Sequence, residues 1–352
     1  MKVEVTHAFH DCDPIAYAGA CAVEKASYQW IKNDGSEKSE VFKTAKEAKE
    51  FYELMDMTGE DMDNDWTREV GVRYGTQKEA EEGCDGVVKD YMSTAEKLTG
   101  NPDIEHVGYF TRSDAPKTKD IKGLENRYQG NRDPSKKPKM LKHCREYLQK
   151  KYPWMLMAAK GFEADTHIVA KCEQMGEKAV GMFIDKDLAQ MEDGQFVDMK
   201  RPKNIRVITK TTEVGHLWIE KSSRGDEQYK GHGFKWLVFQ AMVGDAADGY
   251  KGFNGVGNKA GYATLVECTT KKACIEEALE LYSKKLVKGK LSKEAKESGA
   301  KLEAGFMKYV SWDGQRKKLT ARELLNQHLF LAYQERGATD SICVEDYIDG
   351  KG

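Results

Sequence analysis

The sequence predicts an α/β fold with a mainly parallel sheet, followed by a mostly helical C-terminal part. Short apolar runs typical of buried strands alternate with longer segments of helical periodicity, and the C-terminal helices have Leu-rich faces. With 352 residues, 39% of them hydrophobic and 32% charged, the chain can bury a sizeable core as one large domain or two.

Short apolar runs predict strands at 2–9, 106–111, 179–184, 205–209 and 217–219. Two further runs, 28–31 and 40–42, flank the turn residues Asn33-Asp34-Gly35-Ser36 and predict a hairpin. Helical spacing and capping residues predict helices at 14–25, 45–54, 77–98, 140–151, 164–175, 234–243, 275–286 and 321–333. The stretch 112–139 holds three prolines and few apolar residues, which predicts a basic loop or a bridging helical segment.

Composition excludes several classes of protein. No apolar run reaches the roughly 20 residues that a membrane-spanning helix needs. Asp11 and Asp13 interrupt the N-terminal segment, so we do not expect a signal peptide there. None of the eight cysteines forms a C-x-x-C pair, which argues against zinc knuckles and thioredoxin chemistry. Reduced thiols in a cytoplasm are the expected state.

The net charge of −2 hides a basic block. Residues 117–151 contain twelve Lys or Arg and four Asp or Glu, a local excess of +8. Such a block is typical of a surface that binds a polyanion, and equally of a solvated helix face.

Carboxylates follow several predicted strands or open the helices after them. They are Asp11, Asp13, Asp114, Glu163, Asp165, Asp185, Asp187, Asp245 and Asp248. In an open α/β sheet the site forms outside the carboxyl ends of the strands, so these groups are expected to converge. Taken singly, each pair is explained as well by a turn or a helix cap.

Converging carboxylates repel one another, and bound cations relieve that repulsion. Oxygen ligands without a matching His or Cys set indicate Mg²⁺, with Mn²⁺ as a substitute. Two such ions about 4 Å apart would activate a water and stabilise a leaving oxygen in phosphodiester hydrolysis.

A glycine-rich turn follows Asp245 and Asp248. Gly255-Val256-Gly257 and Lys259 fit a helix-hairpin-helix element, in which backbone N–H groups at a helix start bind a DNA phosphate. The other interpretation is an ordinary connection between two helices, with glycine at a tight corner.

These motifs resemble the 5′-nuclease family: flap endonucleases, the 5′-exonuclease domain of bacterial DNA polymerase I, and phage 5′-3′ exonucleases. The family's motifs occur in family order from Asp11 to Leu265, and the pattern resembles the phage-encoded members of the family. The matching segments are His10-Asp11-Cys12-Asp13, Tyr128-Gln129-Gly130-Asn131-Arg132, Glu163-Ala164-Asp165-Thr166, Asp185-Lys186-Asp187, and Gly244 to Gly257.

The resemblance implies a PIN-like core at 1–232, with an insertion at about 30–100 and a basic helical arch at about 112–140. A helical region containing the helix-hairpin-helix would occupy 233–352. The insertion is acidic, which argues against contact with DNA.

The resemblance also implies residue roles. Asp11, Glu163 and Asp165 would serve one metal site, and Asp185, Asp187 and Asp245 the second, with Asp248 as a further candidate ligand. Arg132 would contact the scissile phosphate. The expected DNA contacts are Tyr128, Asn131, Arg132, Lys136, Lys137, Gly255, Val256, Gly257 and Lys259.

The chain departs from the family pattern at three places. Gln129 stands where the family has the arch lysine, and Thr166 stands where it has an Asp. Lys119, Lys136 and Lys137 are candidates to supply the missing charge. The Asp expected after the second strand is assigned to Asp114 by spacing, whereas direct register would place Arg112 there.

The expected function is therefore a metal-dependent 5′-3′ exonuclease and flap endonuclease that acts on DNA with 5′ ends or flaps in replication or recombination. Two alternatives remain: a catalytically weakened relative that binds DNA structures, and a PIN-type ribonuclease that removes primers. Replication proteins are candidate partners, and a bacterial host cytoplasm is the expected location for a phage-encoded protein.

Overall fold

The computed structural model describes residues 4–112, 119, 122–160, 162–200, 209–210, 214–291, 293–297, 299–303, 305–336 and 340–348. The strands are β1 His7–Asp11, β2 Glu24–Lys32, β3 Trp66–Tyr74, β4 Glu105–Phe110, β5 Met155–Met157, β6 Ala179–Phe183, β7 Gln195–Asp198, β8 Thr209–Lys210, β9 His216–Lys221, β10 Glu227–His232, β11 Gly244–Asp245, β12 Tyr250–Lys251, β13 Lys301–Glu303, β14 Phe306–Val310 and β15 Arg316–Leu319. The helices are α1 Asp13–Ala22, α2 Ala45–Met57, α3 Met62–Asp65, α4 Gln77–Thr99, α5 Leu141–Lys151, α6 Ala164–Met175, α7 Gly233–Val243, α8 Asn258–Leu265, α9 Lys271–Lys288, α10 Lys293–Glu297, α11 Ala321–Ala332 and α12 Glu345–Ile348. Short 3₁₀ helices cover Pro134–Lys136, Gly176–Lys178 and Lys186–Gln190.

The chain forms two units. The first contains Met1–Cys12, Tyr91–Pro134 and Trp154–Gly352, and the second contains Asp13–Asp90 and Ser135–Pro153. The boundary predicted from the sequence, between residues 232 and 233, falls inside the first unit. The assignment of a nuclease core to 1–232 and of a DNA-binding helical region to 233–352 stays a prediction.

A six-stranded sheet in the order β5-β4-β1-β6-β7-β8 organises the first unit. The first five strands run parallel, and β8 is antiparallel to β7. All five residues of β6 are buried, as expected for a strand covered on both faces. The predicted α/β class with a mainly parallel sheet is therefore confirmed.

Helices cover this sheet and continue into the C-terminal part. Helix α6 packs against β1, β4 and β6, while α7 packs against α8, α9 and α11. Every residue of α7 from Gly233 to Met242 is buried, so α7 is the central helix of that cluster. Thr270 and Thr320 are the N-cap residues of α9 and α11. Each hydroxyl accepts a hydrogen bond from the backbone N–H three residues further along the chain.

The C-terminal part also contains a three-stranded antiparallel sheet, β13-β14-β15, which the sequence prediction of a mostly helical region missed. Its strands are three to five residues long and rich in lysine, so the apolar alternation that signals a strand is weak.

The second unit contains a long two-stranded ribbon, β2-β3, with α1 packed on α5 and α2 packed on β2. A capping box formed by Thr44 and Glu47 starts α2, close to the predicted position. The predicted hairpin of 28–31 with 40–42 forms in part. Tyr28 and Phe42 exchange both backbone hydrogen bonds, and the N–H of Ser39 donates to the carbonyl of Trp30 at 2.9 Å. The longer pairing of β2, along nine residues, is with β3, which the sequence did not predict.

The segment predicted as a basic arch lies partly outside the described residues. Those that are described, 112, 119 and 122–140, form turns and the 3₁₀ helix Pro134–Lys136. Most of the strand predicted at 205–209 also lies outside them, and its last residue begins β8. Within the part of the chain that the structure describes, no helix has the length and apolarity to span a membrane.

Candidate metal centre

Carboxylates of the first unit lie where its parallel strands end. Strand β1 ends at Asp11, and the neighbouring strand β6 leads directly into Asp185 and Asp187. Glu163 is the N-cap residue of α6, whose first N–H, that of Ala164, donates to the Thr111 hydroxyl after β4 at 3.0 Å. Asp11, Glu163, Asp185 and Asp187 therefore all lie at the carboxyl edge of the sheet.

Three carboxylates form a close group. One oxygen from each of Asp187, Asp245 and Asp248 lies within 4.8 Å of the other two. Asp245 and Asp248 are 8% and 7% exposed, so their charges are largely withdrawn from water. Such a set of oxygen ligands suits a hard divalent cation, and its charge makes the cluster unfavourable without compensation.

Local turns set the direction of these side chains. The Asp185 carboxylate accepts the backbone N–H of Asp187 at 2.9 Å, and the Asp245 carboxylate accepts that of Ala247 at 2.9 Å. Each of these Asp residues therefore closes a turn onto the residue two positions on, as Asp side chains commonly do. Asp245 therefore closes a turn and also belongs to the carboxylate group.

Positive and polar side chains compensate the cluster. Lys186 Nζ lies 2.5 Å from Asp245 Oδ2, and Arg132 Nη2 lies 2.7 Å from Asp248 Oδ1. The Gln240 amide donates to Asp187. Asp187 therefore has a neutral partner where its two neighbours have cations.

The Gln240 amide is itself fixed by a buried network. Gln190 Nε2 donates to Gln240 Oε1 and to the carbonyl of Ala332, both at 2.8 Å. The side-chain oxygen Oε1 of Gln190 accepts the backbone N–H of Gln334 at 2.9 Å. Because the Gln240 oxygen is already engaged, its NH₂ group faces Asp187.

The environment shifts the pKa of several carboxyls. Burial and then the charge of Asp185 raise the pKa of Asp187 to about 7. Burial raises the pKa of Asp185 although part of its surface is exposed, and the charges of Asp248 and Asp245 add to the rise. Burial also raises the pKa of Glu163, with Lys119 opposing the rise and the charges of Glu335 and Asp248 adding to it. Such shifts are typical of functional sites.

The segment Tyr128–Arg132 contacts the cluster through Asp248. The Tyr128 hydroxyl donates to Asp248 Oδ2 at 3.0 Å, and the Gln129 amide donates to Asp248 Oδ1 at 3.2 Å. Asn131 Nδ2 donates to the carbonyl of Ala246 at 2.8 Å. The segment Tyr128–Arg132 thus lies beside the carboxylate group.

Other predicted site residues lie elsewhere. Asp11, at 4% exposure, and Asp165, half-buried in the first turn of α6, are outside the three-carboxylate group, as far as the described residues go. Asp114 lies outside the described residues. Thr166 in α6 is buried, with 5% of its surface exposed, so an aspartate at this position would need a partner for its charge.

Three charged residues that the sequence analysis names as site candidates belong to the second unit. Lys136 and Lys137 are exposed there, and the Asp13 carboxylate is bound by Arg145. Of the lysines considered as replacements for the arch lysine, Lys119 is in the first unit, with its Nζ 5.6 Å from the centroid of the Tyr128 ring.

Sequence reasoning missed Gln240 and the contact of Lys186. Gln240 is 2% exposed in a helix whose other side chains, apart from Lys235, are apolar, and that lone amide was a signal of a buried hydrogen-bond role. Lys186 was visible between Asp185 and Asp187, but its pairing with Asp245 depends on the fold.

The glycine-rich turn connects α7 to α8. Gly244 has φ +85°, and Gly255 has φ +82°, a conformation that favours glycine. Gly257 is the N-cap residue of α8, and Gly257, Asn258 and Lys259 are exposed at the start of that helix, whereas Val256 is 5% exposed. The exposed helix start leaves its backbone N–H groups facing outward.

Gly252→Ala is expected to lower the free energy of unfolding by about 3 kcal/mol, because an added methyl in a tight site forces the backbone to move. The new Cβ would lie 2.2 Å from the Met242 carbonyl oxygen and 2.5 Å from the backbone nitrogen of Gly244. Gly257→Ala is the matched control, since nothing lies within 4 Å of its Cβ. Urea unfolding of both variants checks this, and equal stabilities would contradict it.

Together, fold and site define an α/β protein with a carboxylate cluster at the carboxyl edge of a parallel sheet. No family model matches the chain, and no curated protein does. Solved structures with a similar backbone include a lysine-to-alanine mutant of the T5 5′-exonuclease, at 16% identity and a TM-score of 0.34, covering 69% of this chain and 80% of that chain. The T5 5′-exonuclease with bound divalent zinc ions is similar at 16% identity and a TM-score of 0.33, over the same shares of the two chains.

Proposed function

We propose that this protein is a metal-dependent 5′-3′ exonuclease and flap endonuclease that hydrolyses DNA phosphodiesters. The observation that carries the proposal is the convergence of Asp187, Asp245 and Asp248 within 4.8 Å, with the Arg132 guanidinium attached to the group. A cation site beside a guanidinium suits a phosphodiester, because both attract its negative oxygens.

The donor set fits Mg²⁺, with Mn²⁺ as a substitute. The group contains only carboxylates, and the pKa of Asp187 is raised by burial, so cation binding would relieve an unfavourable charge. A divalent ion bound there would act as a Lewis acid on the phosphate and activate a water. A second ion would be held by Asp11, Glu163 and Asp165, with Asp185 supporting the first set.

The chain's own side chains would bind and orient the phosphate. Arg132 keeps 59% of its side-chain surface exposed while bound to Asp248, so its remaining N–H groups are available to an incoming phosphate. Lys119 opposes the rise in the pKa of both Glu163 and Asp187, which places its charge near the same carboxylates. Lys119 is therefore the residue that we propose as the substitute for the arch lysine replaced by Gln129.

The turn between α7 and α8 would grip duplex DNA. The exposed N–H groups at Gly257 and Asn258 face outward at a helix start, and the Lys259 charge is exposed beside them. Helix starts bind phosphate through such groups without reading the base sequence. Lys285, whose Nζ donates to the carbonyl of Gly255 at 3.1 Å, adds positive charge at this turn. Lys136 and Lys137 of the second unit are proposed to contact the DNA backbone as well.

A second candidate is a relative that binds DNA structures without cleaving them. Lys186 favours it, because an ammonium 2.5 Å from Asp245 already compensates a carboxylate that a metal would use. The three charges of Asp185, Asp187 and Asp245 favour the enzyme, because they repel one another and the single Lys186 ammonium offsets only part of that repulsion. A PIN-type ribonuclease is the third candidate, and an RNA strand in the assay below tests it.

The deciding experiment uses the full chain and a duplex carrying a labelled 5′ flap, with Mg²⁺ or with EDTA. We expect Mg²⁺-dependent products and none in EDTA. A 3′-flap duplex is the matched control for polarity, and a recessed 5′ end separates exonuclease from flap activity. Tight binding of the 5′ flap without cleavage in Mg²⁺ or Mn²⁺ would establish the non-catalytic candidate instead. Preferential cleavage of an RNA strand would establish the ribonuclease.

A further inference from the structure

The Asp248 carboxylate accepts more side-chain hydrogen bonds than the other two carboxylates of the group. Three side chains donate to it: Tyr128 to Oδ2 at 3.0 Å, Gln129 to Oδ1 at 3.2 Å and Arg132 to Oδ1 at 2.7 Å. A carboxylate has about four lone-pair positions, so most of its accepting capacity is used.

Asp187 and Asp245 keep more of their capacity. The side chain of Asp187 accepts one amide, from Gln240, and that of Asp245 accepts a backbone N–H and the Lys186 ammonium. A cation at Asp248 would compete with a guanidinium, a phenol and an amide for the same two oxygens. Removing charge-assisted partners from a buried group is costly, so Asp248 is the least suited of the three to bind a metal.

Backbone contacts lock the same two segments together. The N–H of Gln129 donates to the carbonyl of Asp248 at 2.6 Å, and Asn131 Nδ2 donates to the carbonyl of Ala246 at 2.8 Å. Gln129 has φ +52°, and no other non-glycine residue in the described ranges has a positive φ. A left-handed residue that is not glycine is retained where the surrounding contacts over-determine it.

We propose that Asp248 is a positioning residue that holds the turn of residues 128–132, and with it the Arg132 guanidinium, against the Asp187–Asp245 carboxylates. Asp187 and Asp245 then supply the metal ligands of this group, while Asp248 fixes where the phosphate-binding guanidinium stands. Gln129, which replaces the lysine of the family motif, contributes two of the N–H groups that hold the turn. This inference rests on the proposed function.

The first test measures Mn²⁺ binding to the full chain by electron paramagnetic resonance, without DNA. We expect Asp248→Asn to weaken Mn²⁺ binding by about tenfold at most, the low end for a group beside the ligands, whereas Asp187→Asn weakens it by more than about 100-fold. If Asp248→Asn weakens binding as much as Asp187→Asn does, Asp248 is a ligand and the inference is overturned.

The second test is a double-mutant cycle on cleavage of the 5′-flap duplex. Asp248→Asn and Arg132→Ala are each expected to lower kcat about 30-fold, because the first misplaces the group that the second removes. We expect the kcat of the double variant to equal that of the less active single variant. Two independent roles would instead multiply to a loss of about 10³-fold in kcat, which would overturn the inference. Tyr128→Phe removes one of the three donors and should cause a smaller loss than Asp248→Asn.

The two proposals fail in different ways. An unchanged protein that neither binds Mn²⁺ nor cleaves DNA overturns the proposed function, and the positioning role falls with it. An unchanged protein that binds and cleaves, with Asp248→Asn behaving like Asp187→Asn in the Mn²⁺ measurement, overturns only the positioning role.

Discussion

Asp187→Asn is expected to reduce Mg²⁺-dependent cleavage by about 10³-fold, because loss of several kcal/mol of charge stabilisation at the phosphate slows the chemical step by that order. The Asp187 carboxylate lies within 4.8 Å of two others, and among the described residues its side-chain hydrogen-bond partner is the neutral Gln240 amide. Asparagine keeps the shape and an acceptor for that amide but removes the charge. Initial rates on a labelled 5′-flap duplex in excess Mg²⁺ measure the effect.

The control for this variant is Asp193→Asn. Asp193 is exposed and precedes β7, so it lies at the amino edge of the parallel sheet, opposite to the candidate centre. Its replacement should leave the rate within about twofold, since surface changes away from a site have small effects. A circular-dichroism spectrum equal to that of the unchanged protein excludes misfolding. Cleavage by Asp187→Asn at the rate of Asp193→Asn would remove Asp187 from the site.

Mn²⁺ affinity is expected to fall by about 30-fold between pH 8 and pH 5.5, close to tenfold per pH unit once Asp187 is protonated. Burial, and then the charge of Asp185, raise the pKa of Asp187 to about 7, so this carboxyl must lose a proton to bind the ion. The pKa of Asp185 is raised as well, in the same direction. Titration of Mn²⁺ at constant ionic strength measures the fall, and an affinity independent of pH over this range would contradict it.

The same pKa has a consequence for the metal-free protein. Because the folded-state pKa of Asp187 lies above its usual 3.8, the folded chain binds that proton more tightly than the unfolded chain does. The stability contributed by Asp187 is therefore present at low pH and is lost as pH rises towards about 7. In EDTA at pH 8, Asp187→Asn should raise the free energy of unfolding by about 1–3 kcal/mol, whereas near pH 4 the two proteins should be equal.

Strand and helix patterns in the sequence predicted the elements that carry the candidate centre. Strands β4 and β6 and helices α6 and α7 fall within one residue of the ranges predicted from the sequence, whereas β1 begins at His7, five residues later than predicted. These segments are long or strongly apolar, so their local signal is clear. The carboxylates after them were then expected at one edge, because parallel strands end together.

The weaker local signals failed. Strand β3 has eight exposed residues out of nine and pairs with β2 across more than 30 intervening residues, so no local turn indicates the partnership. Strands β5 and β7 are three and four residues long, too short for a periodicity to appear. Their places in the sheet depend on which strands lie beside them, and the order of strands along the chain does not give this.

The α/β class could be predicted from the sequence, and so could the carboxylates, glycines and basic residues of the candidate centre. Their partners follow from the fold: Gln240 for Asp187 across 53 residues, Lys186 for Asp245, and Arg132 for Asp248 across 116 residues. Strand, helix and turn preferences act between near neighbours in the chain. The charge balance of a buried carboxylate is set instead by whichever side chains the fold brings within a few ångströms.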